Sequence, residues 1–288
     1  MVDVVTDWAP DPGAILLAGV AAGLYGSAVR RLARRGRSWP VARTAAFAGA
    51  ITALVVATCS GLATHESASF TAHAGQHALL ALVAPLLLAL GAPLTLALQA
   101  AGRPVQRGLL RLLDAAPLRV LTHPVVVWAA WGVTLVALYT TSLYDASLRV
   151  DWLHAGIHLH MLIVGALFCW TAVGLDSGRH RLPHGARLLF VLLAVPFHAV
   201  VGLSLLGDAE RAGGVGLLWA TGELFGLVAA AIVVAQWMGA EERAARRSEA
   251  PRAPVFHADL AQARAADADE TGSSTPGRRA SAGEPVGG

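Results

Sequence analysis

The 288-residue chain is 55% hydrophobic and only 14% charged, a balance that a water-solvated globular surface does not produce, so lipid is its expected solvent. Its net charge of +3 is carried on the positive side by arginine alone, and the arginines lie between apolar runs instead of on one folded face. That distribution reads as topogenic and excludes nucleic acid as a partner. The two cysteines, Cys59 and Cys169, fall in separate apolar runs with no CxxC spacing, which excludes a disulfide framework and a zinc ribbon.

Residues 1–13 form a short outer segment carrying Asp3, Asp7 and Asp11 where a secretory leader would be positive, so the first apolar run is expected to be retained. From there the chain offers seven apolar runs near the length that crosses a bilayer: Ala14 to Val29, Val41 to Leu62, Ala78 to Gln99, Val125 to Ser142, Leu153 to Leu175, Ala186 to Leu206 and Val215 to Met238. Between the third and fourth lies 103–121, where leucines alternate with arginines and an interfacial helix is expected. Trp128, Trp131, Trp152 and Trp170 fit an interfacial belt. After Met238, residues 239–288 are rich in Ala, Gly, Ser, Pro and Asp and are expected to form a disordered cytoplasmic tail.

Arginine sets the orientation. Arg30, Arg31, Arg34, Arg35, Arg37 and Arg43 follow the first run, Arg103, Arg107, Arg111 and Arg119 the third, and Arg179, Arg181 and Arg187 the fifth, while the joint Ala63 to His77 has none. Basic joints are held in the cytoplasm. The expected fold is therefore an all-α polytopic helix bundle, residues 14–238, with seven transmembrane helices, the N-terminus outside and the C-terminus inside.

Histidine singles out one side of this bundle. His73 and His77 stand four apart at the outer entrance of the third run, on one helical face if that helix starts early. His154 and His158 repeat the spacing at the outer entrance of the fifth, with Met161 on the same face. His198, after Pro196, lies about 12 Å below the outer end of the sixth run at 1.5 Å per residue, and Glu223 reaches a similar depth in the seventh. Imidazoles bind copper, zinc or iron, and a thioether adds a preference for Cu(I). The same residues also read as structural groups that bond carbonyls, water or neighbouring helices. His65, Glu66, Asp145 and Asp151 read as solvated loop residues, and His123, His180, His184 and His257 receive no chemistry. No Walker-type loop, G-x-S-x-G elbow or H-E-x-x-H helix is present, so no catalytic residue is assigned and the protein is expected not to be an enzyme.

The stretch from His73-Ala-Gly-Gln-His77 through Pro85 and Gly91-Ala-Pro93 resembles the signature of the seven-span bacterial cytochrome c oxidase assembly factors called CtaG. His154 and His158 ahead of Gly165 and Trp170, and Pro196-Phe-His-Ala-Val-Val-Gly202, extend the likeness over roughly 14–238. Where that family often carries methionine beside the first histidine pair, this chain has Ala74, Gly75 and Ala78. The resemblance implies a factor of the bacterial inner membrane that builds haem-copper oxidase by handling copper. Its partners would be oxidase subunits and copper chaperones, and His73, His77, His154 and His158 would be the metal contacts. The competing readings are a b-type haem oxidoreductase, a copper transporter running inward through His198 and Glu223, and a pure scaffold.

Overall fold

The computed structural model describes residues 7–174, 182–205, 207, 212–249 and 264, and among them every regular element is a helix. Six helices are long and apolar enough to cross a membrane, which makes the chain a polytopic membrane protein: Pro12–Arg34, Val41–Thr64, Phe70–Ala100, Asp151–Val173, His184–Leu205 and Ala212–Ser248. The remaining expected span is the apolar helix Pro124–Thr140, whose 17 residues reach about 25 Å, at the lower limit for crossing.

In finer detail the chain order is α1 (Pro12–Arg34), α2 (Val41–Cys59), α3 (Gly61–Thr64) and α4 (Phe70–Ala78), then a π turn (Leu79–Val83), α5 (Ala84–Gly91) and α6 (Pro93–Ala100). There follow α7 (Arg103–Leu113), α8 (Ala116–Leu121), α9 (Pro124–Thr140), α10 (Leu143–Ser147), α11 (Asp151–Val173), α12 (His184–Leu192), α13 (Val195–Leu205) and α14 (Ala212–Glu249). Two units divide the chain, Met1–Trp237 and Met238–Gly288. Of the second, the described part is the end of α14 to Glu249 and residue 264. The helix thus continues past Met238, where composition alone places the start of the tail, because Ala, Glu and Arg in this stretch are strong helix formers. The rest of that tail, with His257, lies outside the described residues, as do Arg179, His180 and Arg181.

Local sequence explains the helix ends. Asp11 caps α1 by accepting from the backbone N–H groups of Gly13 and Ala14 at 2.7 and 3.1 Å. The single interfacial helix expected over 103–121 is instead two, α7 and α8, neither with a buried residue. Pro117 in the first turn of α8 accounts for the break, since it has no N–H to continue the α7 ladder. The third span breaks at Ala92, whose φ of 46° is left-handed, immediately before Pro93. The Gly91 carbonyl beside the break accepts from the Tyr25 hydroxyl at 2.9 Å, and Tyr25 in turn accepts from Trp39 Nε1 at 3.0 Å. A kink in an apolar medium needs such replacement partners.

The core of the first unit is aromatic. Phe168 stacks on Trp131 and lies tilted against Phe190, both with ring centroids at 4.7 Å, and Phe225 closes the group 6.0 Å from Trp131. Trp131 is therefore a core residue, not part of an interfacial belt, whereas Trp152 is exposed as a belt residue would be. α11 approaches the π turn so closely that a Cβ at Gly165 would stand 2.5 Å from the Ala81 carbonyl oxygen and 2.9 Å from Pro85. Backbone meets backbone there, and small residues allow that approach. Gly165→Ala is expected to lower stability by about 1–3 kcal/mol in thermal unfolding of the detergent-solubilised protein. Gly156→Ala on the same helix meets nothing within 4 Å and serves as the control, with stability unchanged or slightly raised.

Candidate metal centre

The third span does start early. Ser69 caps α4, its side chain accepting from Ala72 N–H at 3.3 Å, so that His73 and His77 fall within one helix and one face. Gln76, between them, donates from Nε2 to the Ala57 carbonyl at 3.0 Å and fastens this face of α4 to α2. The π turn begins two residues after His77. Such turns rephase a helix and are frequent at functional sites. On the other side, Gly165 of α11 packs against the π turn and Pro85, and the first turns of the same helix carry His154 and His158.

The four histidines of the two i, i+4 pairs meet. Ring centroids are 3.9 Å apart for His73 and His77 and 4.2 Å for His154 and His158. Across the two helices they are 5.1 Å for His77 and His158, 5.8 Å for His73 and His154, and 6.5 Å for His77 and His154. His73 is fully buried and His77 is 2% exposed. Tyr139 at the end of α9 and Tyr144 in α10 wall the group: the Tyr139 hydroxyl and His77 Nδ1 share a hydrogen bond of 2.9 Å, and Tyr144 stands edge-on to His73 at 4.7 Å.

Glu66 completes the set. Read from sequence as a solvated loop residue, it is partly buried and accepts from His154 Nε2 at 3.1 Å. One ligand atom each from Glu66, His154 and His158 lie within 4.8 Å of one another. Ligand atoms of a tetrahedral ion bound at 2.0–2.1 Å stand roughly 3.3 Å apart, so a modest contraction would bring these three together on one ion. Both ring nitrogens of His73, Nε2 of His77 and Nε2 of His158 are buried with no hydrogen-bond partner among the described residues.

The other expected site residues are placed apart from the four-ring cluster. Met161 is buried and lines a cavity of about 30 Å³ together with His77 and His198, beneath the cluster. Glu223 accepts from Trp219 Nε1 at 3.2 Å on its own helix. Of the remaining histidines, His160 is exposed and bonded to Thr134 at 2.8 Å, His65 to Asp7 at 2.8 Å, and His123 caps α9 through Val125 N–H at 3.3 Å.

Fold and site together define an all-helical, multi-pass membrane protein with buried imidazoles from two helices gathered at one end of its bundle. The chain belongs to the cytochrome c oxidase caa3 assembly factor family, Caa3_CtaG, whose model matches residues 23–240. It is 32% identical over 279 residues to uncharacterized protein Mb0105 of Mycobacterium bovis and to uncharacterized protein MT0111 of Mycobacterium tuberculosis, covering 85% of this chain and 42% of each relative. Uncharacterized protein ML1998 of Mycobacterium leprae is 32% identical over 247 residues, covering 76% of this chain and 38% of its own length. The chain thus spans about two fifths of the length of these relatives. No solved structure matches it.

Proposed function

We propose that this protein sits in the bacterial cytoplasmic membrane with seven spans, N-terminus out, and holds copper as cargo at the His73, His77, His154, His158 and Glu66 cluster for delivery to a haem-copper oxidase subunit. Family membership supports the oxidase, and the alternation of arginine-rich joints with joints that hold no arginine or only one, Arg149 or Arg211, supports the orientation. The single observation that carries the copper reading is the set of buried imidazole nitrogens without partners. A polar atom buried and unbonded costs about 1–3 kcal/mol, and an ion that accepts several of them offsets that cost together. Imidazoles with a single carboxylate suit copper or zinc better than a hard cation. Ring contacts of 3.9–6.5 Å favour a small ion over a haem, whose macrocycle must fit between its two imidazoles.

A strain lacking this protein, complemented with the wild type, is expected to regain copper-loaded oxidase. Complementation with a His77→Ala, His158→Ala variant, present in membranes at the same level, is expected to yield oxidase deficient in copper. Normal oxidase copper with that variant would overturn the proposal.

A further inference from the structure

We infer that His77, Met161 and His198 form a second, internal Cu(I) station beneath the four-histidine cluster, with His77 shared between the two. The inference rests on the copper reading above and adds a position to it. These three residues come from the third, fifth and sixth spans and line the same cavity, whose other walls are Ala78, Ala81, Leu82, Trp131, Leu135 and their neighbours. The cavity also borders two hydroxyls, and both are committed elsewhere. Thr134 is bonded to His160 at 2.8 Å, and Thr221 donates to the carbonyls of Leu217 and Leu218 at 2.8 and 3.1 Å.

Among the described residues, His198 is 4% exposed with no partner for its Nδ1, and His77 has its Nδ1 tied to Tyr139 and no partner for its Nε2. Trp131 Nε1 is also unbonded, but an indole N–H only donates and cannot ligate a cation. Two neutral ring nitrogens and one thioether in an apolar chamber are a donor set for soft, low-coordinate Cu(I), in contrast to the carboxylate-bearing cluster above.

The seat of His198 is built by the backbone of α14. A Cβ at Gly222 would overlap the His198 ring, so the ring rests directly on that helix. The non-helical turn at Leu193 and Ala194 starts α13 afresh at Val195, one turn before His198. Because His77 has one nitrogen left to give, copper held above and copper held below compete for it, and passing from one position to the other exchanges the partners of one imidazole.

The test uses the full chain, selenomethionine-labelled and loaded with Cu(I) alone. Of three methionines, Met161 is the one in the cavity. Copper K-edge absorption is expected to show selenium backscatter in the wild type. It is expected to grow at least twofold in a His154→Ala, His158→Ala variant, which removes the α11 half of the upper cluster and shifts the ion toward the inner donors. His198→Ala is expected to abolish the selenium signal while copper stays bound, and Met161→Leu to do the same with the apo protein melting normally. Absence of selenium backscatter from the copper-loaded His154→Ala, His158→Ala protein would overturn the station, as would a signal surviving Met161→Leu. Failure of the upper site reads out separately, as wild-type copper affinity indifferent to His154 and His158.

Discussion

Replacing His73 with leucine is expected to raise the stability of the copper-free protein by about 1–2 kcal/mol and to lower its affinity for Cu(I) by roughly 100-fold or more. The first effect follows from burial. His73 has no exposed surface, and neither of its ring nitrogens finds a partner among the described residues, so the folded apo protein carries the desolvation cost of both. Leucine has nearly the same volume, keeps the contact with Tyr144 and removes the polar atoms. The second follows from the ligand count, because loss even of a group that only orients a ligand costs 10–100-fold in metal affinity. Thermal unfolding of the metal-stripped protein, paired with Cu(I) titration against a competing chelator, measures both. A structural imidazole gives the opposite pattern: a destabilised apo protein whose copper affinity is unmoved.

Arg187→Leu is expected to cost about 3 kcal/mol or more, a stability loss at or beyond the upper end of that expected for Gly165→Ala. Arg187 is 7% exposed and donates from Nε to the Ala172 carbonyl at 2.8 Å and from Nη2 to the Val173 carbonyl at 2.9 Å, with Gln236 Oε1 as a further acceptor. Those carbonyls belong to the last turn of α11, where a helix leaves its carbonyls without intrahelical partners and its dipole favours a cation. Hydrogen bonds from a charged donor are each worth roughly 1.5–3 kcal/mol, and three are lost together. Gly174, in the left-handed conformation with φ of 61°, leaves room for the guanidinium, since a Cβ there would stand 2.9 Å from Nη1. Lysine has no planar fork to span two carbonyls and is expected to recover less than half of the loss. Recovery of the wild-type melting temperature by Arg187→Lys in dodecyl maltoside would refute the capping role.

The contrast between these two residues shows what the sequence makes legible. Helix positions and the two histidine pairs follow from apolar run length and the 3.6-residue period, and the early start that puts His73 and His77 in one helix is a condition the spacing itself names. Arg187 reads from sequence as one more arginine marking a basic joint, because nothing local distinguishes a solvated guanidinium from one folded back onto the preceding helix. Glu66 is obscured in the same way: its partner, His154, is far along the chain, and only the tertiary fold sets the turn between α3 and α4 beside the start of α11. An acid in a joint without arginine is the one available hint. Tyr139 is unmarked for the same reason, its hydroxyl finding His77 across two helices. Glu223, singled out by its depth, satisfies itself on Trp219 one turn away, a local bond that depth alone does not reveal.

The π turn at Leu79–Val83 divides the third span into two segments whose angular settings are decoupled. An α-helix advances about 100° per residue, so the wide turn absorbs one extra residue's worth of rotation between His77 and Pro85. Were that residue removed and the turn wound as ordinary helix, the histidine-bearing half would swing by about the same angle and carry its imidazoles off the α11 side of the bundle. The half that follows, pinned by Tyr25 at Gly91, would stay where it is. The aim of the His73 and His77 rings is thus written into backbone winding, through a segment of Leu, Leu, Ala, Leu and Val that bears no polar side chain of its own.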